Sequence, residues 1–340
     1  MIKRTLFFFL IISLSISLFS FITNDDNRPV KKQKLVKTII IDPGHGGTDA
    51  GAKGAYSYEK NICLAISLKL GEVMAKDFPD TKILFTRTAD NYPALHTRAN
   101  FANQNKGDLF ICIHANAAPA IRHSELTGYK TVVSYTGKGK KKKKITRRVP
   151  QYRHWTTPNP AKGTETYIWG AHKNEDKEVA MRENSGMLEE ENYKENYGDI
   201  DPSSPEFIAL SLLKTKQYFK HSTNLAGFVQ DEFAKVGRVD RDVRQRGVGI
   251  WVLQATAMPS ILVETGYITN REEENYLNSK DGQLELSECI SRAVKTYVDW
   301  LEKQQLQTNT DNGKSGNNKP AAKDVKAFLN MTEQKEKKGF

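Results

Sequence analysis

Residues 38–52 read TIIIDPGHGGTDAGA, an apolar run that breaks into a glycine-rich turn around one histidine. The run is short, β-branched and closed by Asp42-Pro43-Gly44, which suits a strand buried on both faces better than a helix. The turn offers no apolar surface for an imidazole to pack against. His45 is therefore a candidate for chemistry, with a solvent-exposed turn histidine as the plain alternative.

Working outward, strand-like and helix-like segments alternate as in an α/β domain. Residues 60–78, KNICLAISLKLGEVMAKDF, have apolar side chains at helical spacing, with Glu59 at the start of the helix. Strands are expected at 37–42, 81–87, 107–116, 163–170, 247–254 and 259–266, and helices at 94–105, 205–236, 270–278 and 284–304. Between about 119 and 162 the run KGKKKKKITRR (138–148) and the prolines after it read as a long, solvated, basic insertion. An acidic insertion follows at about 174–205, and from 304 to 340 the sequence reads as a polar, disordered tail.

The chain of 340 residues has ample material for a buried core, and 38% hydrophobic residues exclude a fully disordered protein. Its formal charge of +11 points to an anionic partner or surface. Lys3 and Arg4 precede an apolar run through Ile22, so residues 1–23 read as a secretory signal or N-terminal anchor, with a linker at 24–36. Cys63, Cys112 and Cys289 make an odd set, and Cys63 and Cys112 sit inside apolar periodic segments, which argues against a disulfide framework.

Three reactive side chains follow apolar strands: His45, His114 in LFICIHAN, and Glu264 in PSILVETG. Ligands gather at the carboxyl ends of strands in α/β sheets, so these positions can share one crevice, with Glu59 entering from the first helix. Two imidazoles and one carboxylate hold a zinc ion with one position open. The second carboxylate is then available as a general base, a role that suits Glu264.

The motifs IDPGHGGTDAGA (41–52), YEKN (58–61), LFICIHANAA (109–118), GTETYIWG (163–170) and PSILVETGYITNREEENYL (259–277) occur in this order. Together they resemble the zinc-dependent N-acetylmuramoyl-L-alanine amidases of the peptidoglycan amidase-3 family. The resemblance covers roughly residues 38–301 and implies a single catalytic domain at 37–303, a mixed, mostly parallel sheet flanked by helices on both faces. It implies one zinc ion held by His45, Glu59 and His114, with Glu264 as catalytic base. Asp42 and Asn116 flank the ligands and are candidates for ligand support or substrate contact, or else for capping the turn and strand end. The bond cut is the amide between N-acetylmuramic acid and L-alanine. The rival readings are a peptidoglycan-binding module without catalysis and a zinc peptidase cutting within the stem peptide.

Some family members carry an inserted helix that covers the zinc until an activator protein displaces it. Residues 174–201 lie at that place, with Glu189, Glu190 or Glu191 as the candidate blocking ligand. The expected setting is the periplasm or envelope of a Gram-negative-like bacterium, for wall remodelling or daughter-cell separation by a monomer. Nucleic acid is not expected as a partner, and the basic insertion is expected to be a solvated loop able to touch an anionic envelope surface. His96, His123, His154, His172 and His221 match no metal motif and are expected on the surface or in loops. Arg98 and Arg246 are expected to pack or form ion pairs.

Overall fold

The structure is a computed structural model that describes residues 34–169, 205–246 and 250–314. The signal or anchor segment, His172 and the expected blocking residues Glu189, Glu190 and Glu191 lie outside them.

Six strands form one sheet in the order β2-β1-β3-β8-β6-β7. These are β1 (Thr38–Pro43), β2 (Lys82–Phe85), β3 (Leu109–Asn116), β6 (Thr164–Trp169), β7 (Asp240–Arg246) and β8 (Ser260–Tyr267). Strands β2, β1, β3 and β8 run parallel, whereas β6 runs antiparallel to β8 and parallel to β7. The sheet is mixed and mostly parallel, as expected.

Alternation along the strands divides the core in two. Ile39, Ile41, Ile111, Ile113, Ile261 and Val263 share a cluster with α1 (Glu59–Asp77), α3 (Pro205–Lys235) and α6 (Lys280–Lys314). Ile40, Phe110, Cys112, Leu262 and Tyr167 face the other way, toward α2 (Leu95–Gln104) and α4 (Trp251–Ala255). Period-two geometry therefore explains why β1, β3 and β8 read as continuous apolar runs. Between β8 and α6, the short helix α5 (Arg271–Asn278) is capped by Asn270, whose side chain accepts from the backbone of Glu272 and Glu273.

Four expectations need correction. Residues 251–255 form α4 rather than a strand, since a short apolar run serves a buried helix as well as a buried strand. The charged segment DRDVRQR, not expected to be a strand, forms β7 at the sheet edge, where charge is tolerated and blocks further pairing. The basic insertion is a hairpin, β4 (Ile121–Thr136) with β5 (Lys143–Thr157), paired antiparallel as a separate two-stranded sheet. Its β-branched and aromatic residues around a Gly/Lys turn are the local cause. Helix α6 continues to Lys314, ten residues past the expected start of the tail at 304.

Candidate metal centre

Strand β1 delivers the chain into the His45 turn at the carboxyl edge of the sheet. His45 itself adopts φ 56°, the left-handed region that is uncommon for a residue with a side chain. Guanidinium groups hold the turn in place. Arg87 donates to the carbonyls of Pro43 (3.0 Å) and Gly44 (2.6 Å), and Arg98 donates to those of Pro43 (2.6 Å) and His45 (2.7 Å).

Helix α1 starts at Glu59, whose buried carboxylate reaches both imidazoles. Its Oε1 lies 3.1 Å from His45 Nε2 and 2.9 Å from His114 Nδ1, and accepts from the backbone N–H of Ala115 at 3.1 Å. The other oxygen, Oε2, accepts from the backbone of Ala52 at 2.8 Å. Asp49 meets the far nitrogen of His45, Nδ1, at 2.8 Å and so orients the ring.

His45, Glu59 and His114 each offer one ligand atom within 4.8 Å of the others, and all three residues are buried. The donor chemistry fits zinc with one open position. Glycine makes the approach possible. A Cβ at Gly44 would stand 2.5 Å from His114 Cε1, and one at Gly51 would stand 2.6 Å from His45 Cδ2 and 2.8 Å from Glu59 Oε2. The glycines thus clear room for the ligand side chains, and Gly51 in addition adopts φ +63°.

Glu264 lies fully buried on β8, in register with His114 on one side and Glu165 on the other. Residues paired across neighbouring strands share a face about 4.8 Å apart, so Glu264 belongs to the same face as His114. The structure thus places His114 and Glu264 side by side on one face of the sheet, with His45 and Glu59 reaching His114 from the turn after β1 and from the start of α1.

Asp42 and Asn116 occupy neighbouring positions. Asp42 is buried, accepts from Thr86 Oγ1, from Arg98 Nη1 at 2.8 Å and from Cys112 Sγ at 3.0 Å, and so acts on the turn through Arg98. Burial pushes its carboxyl up, but Arg98 and the donors from Thr86 and Cys112 outweigh this and hold it below the usual carboxylate range. Asn116 donates to Glu165 Oε2 at 3.2 Å.

A family model described as N-acetylmuramoyl-L-alanine amidase matches residues 39–296. The chain belongs to this amidase family. The chain is 28% identical over 267 residues to AmiC of Escherichia coli O6:H1, a match covering 76% of this chain and 52% of that relative. It is 25% identical over 291 residues to AmiA of Salmonella typhimurium, covering 84% of this chain and 85% of the relative. The chain thus spans about half the length of the AmiC relative and most of AmiA. A solved amidase from Clostridium difficile 630 shares the fold, with a TM-score of 0.50 at 24% identity over 78% of this chain and 97% of that one.

Asp49, Glu165 and Arg241 also stand at the site, although no motif in the sequence assigns them a role. Asp49 stands four residues after His45 in the same turn, and this spacing was the available signal. Glu165 accepts from Arg241 Nε at 2.6 Å, from Tyr267 Oη at 2.7 Å, from Tyr167 Oη and from Asn116. Burial raises its carboxyl, and Arg241 with the two phenols overcomes that and keeps it low. Arg241 also lies 5.1 Å from the centre of the Tyr267 ring. An open groove of about 380 Å³ runs past these groups, lined in part by Asn116, Glu165, Tyr267, Arg241 and Arg244.

Other candidates have structural surroundings. Arg98 is buried in its Asp42 pair, as expected, while the side chain of Arg246 lies outside the described residues. His123 and His154 lie at the surface, as expected, on the hairpin strands. His221 departs from the surface expectation: it is half-buried on α3, 3.0 Å from Tyr297 Oη and edge-on to Trp300. All three cysteines are buried, and none forms a disulfide.

Proposed function

We propose that the chain is an exported zinc-dependent amidase that hydrolyses the bond between N-acetylmuramic acid and the L-alanine of the stem peptide in peptidoglycan. The observation that carries this reading is the His45–Glu59–His114 cluster, whose His114 is paired across strands with Glu264. His45, Glu59 and His114 would hold the ion, and Asp49 and the Ala52 and Ala115 amides fix the orientation of the first two. Zinc supplies a Lewis acid that acidifies water and polarises the scissile carbonyl.

The chain's own residues supply the rest. Glu264 takes the proton of the attacking water and returns it to the amine of L-alanine as the C–N bond breaks. The groove beside Glu165, Arg241 and Tyr267 receives the substrate next to that carboxylate. Arg98 and Asp42 position the His45 turn without touching substrate.

We also assign the work to the cell envelope, in wall remodelling or daughter-cell separation, with residues 1–23 directing export. Blocking of the centre by the acidic residues 174–201, relieved by an activator, is part of this proposal. Among the described residues no helix is long and apolar enough to cross a membrane.

Digestion of purified peptidoglycan with zinc, with a chelator, and after zinc is restored tests the reaction. Mass analysis should find intact stem peptides released from glycan only when zinc is present. Fragments cut within the stem peptide would replace this reading with a peptidase, and metal-dependent binding without cleavage would replace it with a binding module.

A further inference from the structure

The hairpin β4–β5 takes no part in the centre described above, yet it holds nearly all of the chain's excess charge. Between Ile121 and Thr157 there are eleven lysines and arginines against one acidic residue, Glu125, a formal +10 out of +11 for the whole sequence. At about 3.4 Å per residue, the sixteen residues of β4 extend some 50 Å. Two-stranded sheets of this kind are marginal in water without a surface to rest on. Almost every residue along both strands is exposed.

The exposed side chains follow a pattern. Pairing places Leu126, Tyr129, Val133, Tyr135 and Tyr152 on one face, and the guanidinium of Arg148 lies 4.9 Å from the Tyr129 ring centre on that same face. The opposite face carries Trp155, stacked on His123 at 5.2 Å and approached by Arg153 at 5.3 Å. Rings and cations therefore intermix along one face, and a second ring-and-cation cluster stands at the root of the other. The turn, by contrast, is GKGKKK, with no apolar side chain to enter a bilayer.

The root of the hairpin is tied to the catalytic edge. Ala118 donates to Thr269 Oγ1 at 3.0 Å, Asn159 Nδ2 to the Pro119 carbonyl at 3.0 Å, and Asn270 Nδ2 to the Ala161 carbonyl at 3.2 Å. Pro119, Asn159 and Ala161 line the same groove as Asn116, Glu165 and Arg241. A polymer lying along the hairpin is thereby led into the groove.

We propose that the hairpin is a built-in binding arm for peptidoglycan, its rings stacking on sugar faces and its cations pairing with the carboxylates of the stem peptides. This rests on the amidase reading for the identity of the polymer. The ring-and-cation pattern fits a saccharide with acidic branches, because the C–H faces of pyranoses pack on aromatic rings and guanidinium groups bind carboxylates in pairs. A flat anionic bilayer would cover one face and leave the other exposed; a branched polymer can engage both.

The test uses the zinc-loaded protein and three changes: Y129T/Y135T/Y152T, which keeps β-forming residues; Lys141–Lys144, Arg147 and Arg148 to Gln; and replacement of 121–157 by two glycines. Co-sedimentation with purified sacculi is measured in a Glu264→Gln background, which leaves the polymer intact, and with vesicles of equal parts phosphatidylglycerol and phosphatidylcholine. In the otherwise native background, turnover is measured on a soluble muramoyl-pentapeptide. The arm predicts sacculus binding weakened by about tenfold or more in each variant, with turnover of the soluble substrate within about twofold of the parent. It also predicts that the Gln variant loses most of the salt dependence of sacculus binding.

Sacculus binding unchanged in the tyrosine and Gln variants overturns the proposal, and so does a parent that binds vesicles but not sacculi. If the glycine replacement loses turnover of the soluble substrate, the other two variants decide. Hairpin-dependent binding by a parent that cleaves nothing would leave the arm standing and refute the amidase reading. Cleavage with hairpin-independent binding would do the reverse.

Discussion

Substituting Gly44 by alanine adds one methyl group to the turn beside the ligands. Gly44 does not adopt a left-handed φ, so alanine meets no backbone obstacle there, and the whole effect comes from the new atom. That atom would stand 2.5 Å from Cε1 and 2.8 Å from Cδ2 of His114. Carbon atoms rest at about 3.5 Å, so the ring must retreat by about 1 Å. It has little room, because Glu59 holds its Nδ1 at 2.9 Å and both residues are buried. Metal ligands tolerate displacements of only about 0.2 Å. Zinc affinity should therefore fall by about 100-fold or more, which is about 2.7 kcal/mol. Overpacking should lower the stability of the zinc-free protein by about 1–3 kcal/mol. Competition against a chromophoric chelator reads the affinity, and urea unfolding of the chelated protein reads the stability. An alanine variant that binds zinc as tightly as the parent would refute the claim that Gly44 makes room for His114.

Three further outcomes follow from the same geometry. Glu264→Gln should keep zinc affinity within about threefold and lose about 10²–10⁴ in turnover; near-normal turnover removes Glu264 from the proton-transfer role. Asp42→Asn leaves the Arg98 charge buried without its partner and should cost about 3–5 kcal/mol in urea unfolding. Because the Asp42 carboxyl is held below its unfolded value, its stabilisation is full above about pH 4 and is lost as pH falls through the folded pKa. The parent's urea midpoint should thus drop more steeply on acidification than that of Asp42→Asn, and parallel curves would contradict this. Glu274→Gln weakens a buried carboxylate that accepts from the backbones of Ala55, Tyr56 and Ser57, just before Glu59, and should cost about 1–3 kcal/mol. Unchanged thermal unfolding would show that those contacts do not hold the loop.

The parallel core was legible because β1, β3 and β8 are buried on both faces and leave unbroken apolar runs. His45, His114 and Glu264 were legible as polar residues at the ends of those runs. Strand β7 was not, since an edge strand needs few apolar residues. Helix α4 was misread because five residues carry no period that separates helix from strand. Glu165 escaped notice for a topological reason. It stands near the start of β6, and only the antiparallel pairing of β6 with β8 brings that start to the carboxyl edge where Glu264 lies. No local pattern encodes the direction of a strand relative to a neighbour so distant in sequence.

The two arginines that grip the His45 turn bear on time as well as place. Glycine-rich turns ordinarily open far more often than the sheets they leave. Here the Pro43, Gly44 and His45 carbonyls all accept from guanidinium groups, and the Gly44 amide donates to Ile113 at 3.0 Å. Opening the turn would take the carbonyl acceptors away from buried N–H groups of Arg87 and Arg98, so in hydrogen exchange the Gly44 amide should be released together with β1 and β3. The exchange of an ion held there would then be governed by rotations of the His45, Glu59 and His114 side chains rather than by breathing of the backbone beneath them.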